Sequence, residues 1–134
     1  MKISEVHAES GNVTCHADGD RVVICGEIDQ MSPRDFLAAF FEMIHNMALS
    51  EALLEIHIDL TKLLFLNSSG IKEFLSWILR RNRIAPEHKY RIHIISDPSI
   101  AWQPVTLSRL RDLDPEDITL THSHAGPAKL ATAV

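Results

Sequence analysis

Basic residues are too few and too scattered in this chain to make a nucleic-acid surface. Thirteen lysines and arginines stand against eighteen aspartates and glutamates, for a formal charge of -5, and the densest basic run is Arg80-Arg81-Asn82-Arg83. A groove that tracks phosphates needs a stronger positive field, so DNA and RNA are set aside as partners. Long apolar runs are lacking as well. Stretches such as Phe36 to Phe41 fall far short of the roughly 18 residues that a membrane span needs, which argues against insertion into a bilayer. The opening MKISEVHAES has no apolar signal core, so a reducing cytoplasm is the expected location. Only two cysteines occur, Cys15 and Cys25, too few for a disulfide framework. With Asp18-Gly19 as a tight turn, Cys15 falls opposite Val22 and Cys25 opposite Asn12, so the sulfurs are not cross-strand partners and a small buried apolar role is expected for them. No internal repeat is evident.

What the chain does have is the making of one ordinary domain. Its 134 residues are enough for a single core, and 46% hydrophobic with 23% charged residues is the balance of a soluble globular protein. Val13 to His16 and Arg21 to Ile28 flank an Asp-Gly pair and read as two antiparallel strands. Ser32-Pro33-Arg34-Asp35 offers an N-cap, a proline at the first helical position and an acid in the first turn. The helix that follows buries Phe36, Leu37, Phe40, Ile44 and Met47 on one stripe and turns Glu42, His45 and Asn46 away from it.

Leu54, Ile56, Ile58 and Leu60 alternate with Glu55, His57 and Asp59, the period of a half-buried strand. A second helix runs from the Asn67-Ser68 turn to about Arg83, with Ile71, Phe74, Leu75 and Ile78 inward. Tyr90 to Ile95 is the fourth strand, Val105 to Leu113 a short third helix, and Asp117 to Leu120 a final short strand. Strands separated by helices require crossovers, so the sheet is mixed. The expectation is a single α/β domain with four or five strands and helices mainly on one face. It spans residues 1–121, with 122–134 as a flexible tail lacking a clean period.

The chemistry concentrates in Asn67-Ser68-Ser69-Gly70, at the mouth of the second helix. A helix start leaves unpaired N–H groups and a partial positive charge, so a serine hydroxyl there is well sited to carry or meet an anion. The same four residues also serve simply as caps, and on local grounds alone capping is the simpler account.

The stretch from about Val13 to Thr121 resembles the STAS family, the anti-sigma factor antagonists of bacterial partner-switching systems. The resemblance is carried by the strand Val22 to Ile28, the corner Gly26-Glu27-Ile28-Asp29, the strand Leu54 to Leu60, the serine turn and LSRLRDLDPEDITLTHS. It implies that Ser68 is phosphorylated by a partner serine kinase of anti-sigma type and dephosphorylated by a cognate phosphatase. It further implies a partner surface made of Gly26, Glu27, Asp29 and Gln30 together with Asn67, Ser69, Gly70 and Ile71. The family's motif is Asp-Ser-Ser-Gly, and Asn67 replaces its aspartate. Asparagine caps as well as aspartate does, but a carboxamide has no charge to lend to phosphoryl transfer or to a metal.

The expected function is reversible protein binding without catalysis or cofactor, controlled at Ser68. A second reading keeps the fold but has the chain bind another signalling protein constitutively, such as a cyclase or phosphatase domain. A third makes it a small serine or metal-dependent hydrolase. The serine turn does not match the G-x-S-x-G elbow, and His57 and His93 lack a ligand set at recognisable spacing, so no metal is expected. Trp77 is placed at the edge of the core rather than as an exposed anchor, and Arg80 to Arg83 at a solvated helix end.

Overall fold

EIHID and RIHIIS each alternate apolar and polar residues, and in the folded chain they lie side by side as parallel neighbours with Ile56 opposite Ile92 and Ile58 opposite Ile94. The computed structural model describes residues 3–10, 13–28 and 34–122. In order these form β1 (Ile3–Ser10), β2 (Val13–Gly19), β3 (Arg21–Ile28), α1 (Arg34–Ser50), β4 (Glu55–Asp59), β5 (Leu63–Leu66), α2 (Ser68–Asn82), β6 (Arg91–Ser96), α3 (Gln103–Arg111) and β7 (Ile118–His122). All seven strands join one mixed sheet in the order β1-β2-β3-β4-β6-β7, with β5 pairing β3 beyond the end of β4. The pairs β1/β2 and β2/β3 are antiparallel; β3/β4, β3/β5, β4/β6 and β6/β7 are parallel.

The mixed α/β domain matches expectation, and the strand count exceeds the four or five foreseen. β1 and β5 are the additions. In β5 the two ends, Leu63 and Leu66, are buried and the middle pair exposed, so no period-two signal marks it.

One face of the sheet is apolar and covered. Val13, Cys15, Ala17, Val22, Ile24, Ile56, Ile58, Ile92 and Ile94 share a single core cluster with Leu37, Phe40 and Ile44 of α1 and Phe74, Trp77 and Ile78 of α2. Burying this much aliphatic and aromatic surface, at about 25 cal/mol per Å2, is what drives the layers together. The other face carries Thr14, His16, Cys25, Glu55, His57, Arg91, His93 and Thr119, exposed or half-buried. Helices therefore lie mainly on one side, as the alternation implied.

Several local expectations need correction. The hairpin turns on Gly19-Asp20, with Asp18 paired to Arg21, because Gly19 takes the positive φ of 69° that a two-residue hairpin turn demands of its first central residue. Cys15 consequently faces Ile24, and Cys25 faces Thr14. Both remain free thiols, with Cys15 buried and its thiol pushed up to about 12, chiefly by desolvation. His45 is buried rather than turned to solvent, and Leu54 is 84% exposed rather than inward. Arg81 is fully buried rather than solvated. Its guanidinium reaches Asp114, Asp117 and the Tyr90 carbonyl, so its charge is compensated in place. Trp77 is buried, stacked 4.8 Å from Phe41, and belongs to the core. α3 starts two residues before the expected Val105, and β7 runs to His122. The expected N-cap Ser32-Pro33 and the tail beyond His122 lie outside the described residues.

Candidate functional site

α2 begins where its sequence says it should. Asn67 sits in an extended conformation as N-cap, and its Oδ1 accepts from the Gly70 N–H at 2.9 Å. The Ile71 N–H then bonds the Asn67 carbonyl, closing the first helical turn. The N–H groups of Ser68 and Ser69 precede that bond, so helix geometry gives them no acceptor within α2. Ser68 itself is exposed, Asn67 and Ser69 are half-buried, and Gly70 is buried. The hydroxyl of Ser68 thus stands in solvent at the positive end of a 15-residue helix.

Gly70 is a packing requirement. A Cβ there would lie 2.4 Å from Leu66 Cδ1 and 3.1 Å from Ile28 Cγ2, since α2 crosses closely over the ends of β5 and β3. The same closeness draws the β3 corner to the serine turn: the Asn67 N–H donates to the Ile28 carbonyl at 2.9 Å. Gly26, at φ 108°, adopts a backbone geometry that L side chains rarely take. There its N–H donates to the Lys62 carbonyl, and the β3/β5 register shifts between Gly26 and Glu27. Gly26 and Glu27 therefore lie at the same end of the sheet as Asn67, Ser68, Ser69, Gly70 and Ile71. Asp29 and Gln30 lie outside the described residues.

The chain shares its fold with SiaC of Pseudomonas aeruginosa. The two superpose with a TM-score of 0.60 at 16% identity, over 90% of this chain and 97% of SiaC. A chain from the crystal structure of the diguanylate cyclase SiaD in complex with its activator SiaC, from the same organism, matches with a TM-score of 0.63 at 13% identity, over 88% of this chain and 99% of that one. No family model matches this sequence, and neither does any curated protein. At such identities the SiaC likeness establishes the fold.

The surface around Ser68 has features that sequence reasoning missed. Leu64 and Phe65 of β5 are 56% and 46% exposed, and Phe65 is paired with Glu27. The strand runs buried, exposed, exposed, buried without alternation, so only the placement of β5 beside β3 exposes them. Behind them, Gln103 is fully buried; its amide donates to the Leu60 and Leu63 carbonyls while its Oε1 accepts from the Asp97 N–H. The Trp102 indole also donates to Leu63. These bonds tie the start of α3 to the strand that carries Leu64 and Phe65. A groove of about 320 Å3 then runs between α2 and α3, lined by Ile71, Leu75, Thr106, Arg109, Leu110 and Leu113.

His57 and His93 are neighbours, as their strands implied, with rings stacked 4.7 Å apart. They lie on the open sheet face at the opposite end of β3, where Arg21 pairs with His57. From Arg21 to Ile28 is about 23 Å of strand, so neither histidine can serve Ser68 as a base. The pairing of His57 or His93 with Ser68 is therefore not formed. No helix of the described residues is long and apolar enough to cross a membrane.

Proposed function

We propose that this protein is a regulator that works by binding a signalling enzyme, without catalysis of its own, and that phosphorylation of Ser68 switches the binding. A serine kinase of anti-sigma type writes that mark and a cognate phosphatase removes it, and the cytoplasm is where they meet it. The observation that carries the reading is the exposed Ser68 hydroxyl at the first position of α2, beside exposed Leu64 and Phe65. A phosphate there adds about -1.5 to -2 charges at a helix N-terminus that tolerates them, so the fold persists. Burying the same charge against a partner costs several kcal/mol unless a basic group meets it, and each 1.4 kcal/mol is about tenfold in affinity. A small covalent change is thereby converted into release of the partner.

The likeness to a chain in the SiaD and SiaC complex favours a cyclase-type enzyme as partner over a sigma-factor pathway. Asn67 favours a second reading, in which binding is constitutive, because the carboxamide lacks the charge that the related motif carries at this position. Incubation with ATP and candidate serine kinases, read by intact mass, separates the two. The first reading expects one phosphate adduct that disappears in Ser68→Ala, and partner affinity reduced at least tenfold by the adduct or by Ser68→Glu. Binding that ignores all three states of residue 68 supports the constitutive reading and removes the switch.

A further inference from the structure

Three side chains on the open sheet face converge with their donor atoms together. Glu55 and His57 are two apart on β4 and so project from the same face; His93 on β6 lies directly opposite His57. His93 Nε2 is 2.8 Å from Glu55 Oε1, and His57 Nε2 is 3.3 Å from Glu55 Oε2. One donor atom from each residue falls within 4.8 Å of the other two. Bonds of 2.0–2.2 Å to a tetrahedral zinc ion set its donors about 3.3 Å apart, so enclosing one draws the donors inward and turns the two stacked rings, 13° from parallel, toward a common point.

The cluster is also supported from behind. His93 Nδ1 hydrogen-bonds the Thr119 hydroxyl of β7, which directs Nε2 at Glu55 and lets Nδ1 carry the proton when Nε2 becomes a ligand. A hydroxyl accepts as readily as it donates, so that bond survives the change of tautomer. A further carboxylate is close: Asp20 Oδ2, from the β2/β3 turn, lies 3.9 Å from His57 Nε2. Two imidazoles and a carboxylate, neutral or anionic and of borderline softness, suit Zn2+ and related divalent transition metals better than Mg2+ or Ca2+.

We infer that Glu55, His57 and His93 form a divalent transition-metal site on the open face of the sheet, with coordination positions left for water or a donor from another molecule. The alternation in β4 puts Glu55 and His57 on one face, and the register of β4 and β6 brings His93 to them. The site stands apart from the Ser68 turn, so it neither requires nor repeats the switch proposed there.

Titration of the full, tag-free chain with Zn2+ against a chromophoric chelator, and with Co2+ followed by visible absorption, tests the inference. The expected result is one equivalent bound, with low-symmetry Co2+ bands displaced by zinc. His57→Ala, His93→Ala and Glu55→Gln should each weaken binding at least tenfold while circular dichroism shows the fold retained. Thr119→Val, which leaves all three ligands in place, should weaken it about tenfold through loss of orientation alone. Absence of a stoichiometric site overturns the inference, as does binding that persists in the His57→Ala/His93→Ala double variant because other histidines such as His16 or His122 supply it.

Discussion

The Tyr90 hydroxyl lies 2.7 Å from Nδ1 of His45, in the core between α1 and the strand that β6 begins. The same oxygen accepts from the Trp77 indole N–H at 3.0 Å. Its proton is then available to His45, and the imidazole accepts it in the tautomer that leaves Nδ1 unprotonated. Three elements, α1, α2 and the approach to β6, are joined at one oxygen. Tyr90→Phe leaves a buried donor and a buried acceptor without their partner, at about 1–3 kcal/mol each. The expected fall in melting temperature is about 10 °C. A change under 2 °C in a thermal scan would show that the hydroxyl is not the joint described.

The same arrangement makes stability depend on pH through His45. Burial first, and the Arg80 guanidinium second, hold its pKa below the ordinary value of 6.5. The unfolded chain then binds the proton more readily than the folded one. Stability from this group is complete above that ordinary value and is lost as pH falls through the lowered one. Urea midpoints at pH 7.5 and 5.5 should show a larger acid loss for the wild type than for His45→Gln, which keeps an acceptor for Tyr90 but does not titrate. Equal losses in the two proteins would assign the slope to other groups.

Arg81 offers a harsher test. Its guanidinium is fully buried and makes 2.7 Å bonds to Asp114 and Asp117 and a 2.6 Å bond to the Tyr90 carbonyl. Arg81→Ala is expected to cost about 3–5 kcal/mol in a denaturant titration. Arg81→Lys should recover only part of this, since one ammonium cannot span acceptors held by a planar fork. The hydrogen bond from Arg81 also holds the Asp114 carboxyl below its usual range. That contribution is present above the ordinary aspartate value and is lost as pH falls through the lowered one, so wild-type protein should be the more acid-sensitive of the pair.

How far such features could be read from letters alone follows from their range. The stripes of α1 and α2, the alternation in β4 and β6 and the Asn67 cap are local, and each shows in a window of a dozen residues. Arg81 was misread because its neighbours in sequence argue for solvent, while the carboxylates that admit it to the core lie 33 and 36 residues away. Likewise β5 has no period, and its exposed Leu64 and Phe65 become visible only when β3 is set beside it. In the hairpin, Asp-Gly and Gly-Asp are both credible turns, and a one-residue difference moves every cross-strand partner.

Gly70 should be the least replaceable member of the serine turn. Alanine there meets Leu66 and Ile28, both buried, and overpacking of this kind costs about 1–3 kcal/mol. The gain in helix propensity, up to about 1 kcal/mol, offsets only part of it. Gly70→Ala is therefore expected to destabilise by about 1 kcal/mol, and Gly70→Val by more. A stabilised Gly70→Ala in urea unfolding would mean that α2 does not pack this closely.

The end of α1 predicts the opposite sign. The Leu53 N–H bonds the Ala48 carbonyl and the Ala52 N–H bonds the Leu49 carbonyl, the two bonds of a Schellman cap. Ala52 occupies its left-handed position at φ 54°, where an L side chain costs about 1–2 kcal/mol. Ala52→Gly should raise stability by about 0.5–1 kcal/mol, less than the full strain because glycine also frees the unfolded chain. Unchanged or lower stability by denaturant midpoint would contradict this.

The surface beside Ser68 yields the most direct functional test. Leu64 and Phe65 are exposed, so replacing them removes little from the core. Leu64→Ser and Phe65→Ser should each change folding stability by less than about 0.5 kcal/mol. If these side chains are anchors for the partner, each replacement should weaken the complex at least tenfold, which corresponds to about 1.4 kcal/mol. Combining Phe65→Ser with Ser68→Glu should then weaken binding by less than the product of the two separate effects, because the residues are three apart in the chain and neighbouring sites do not add. A full product in calorimetry would place the two residues in independent contacts and divide the surface that the serine turn and β5 share.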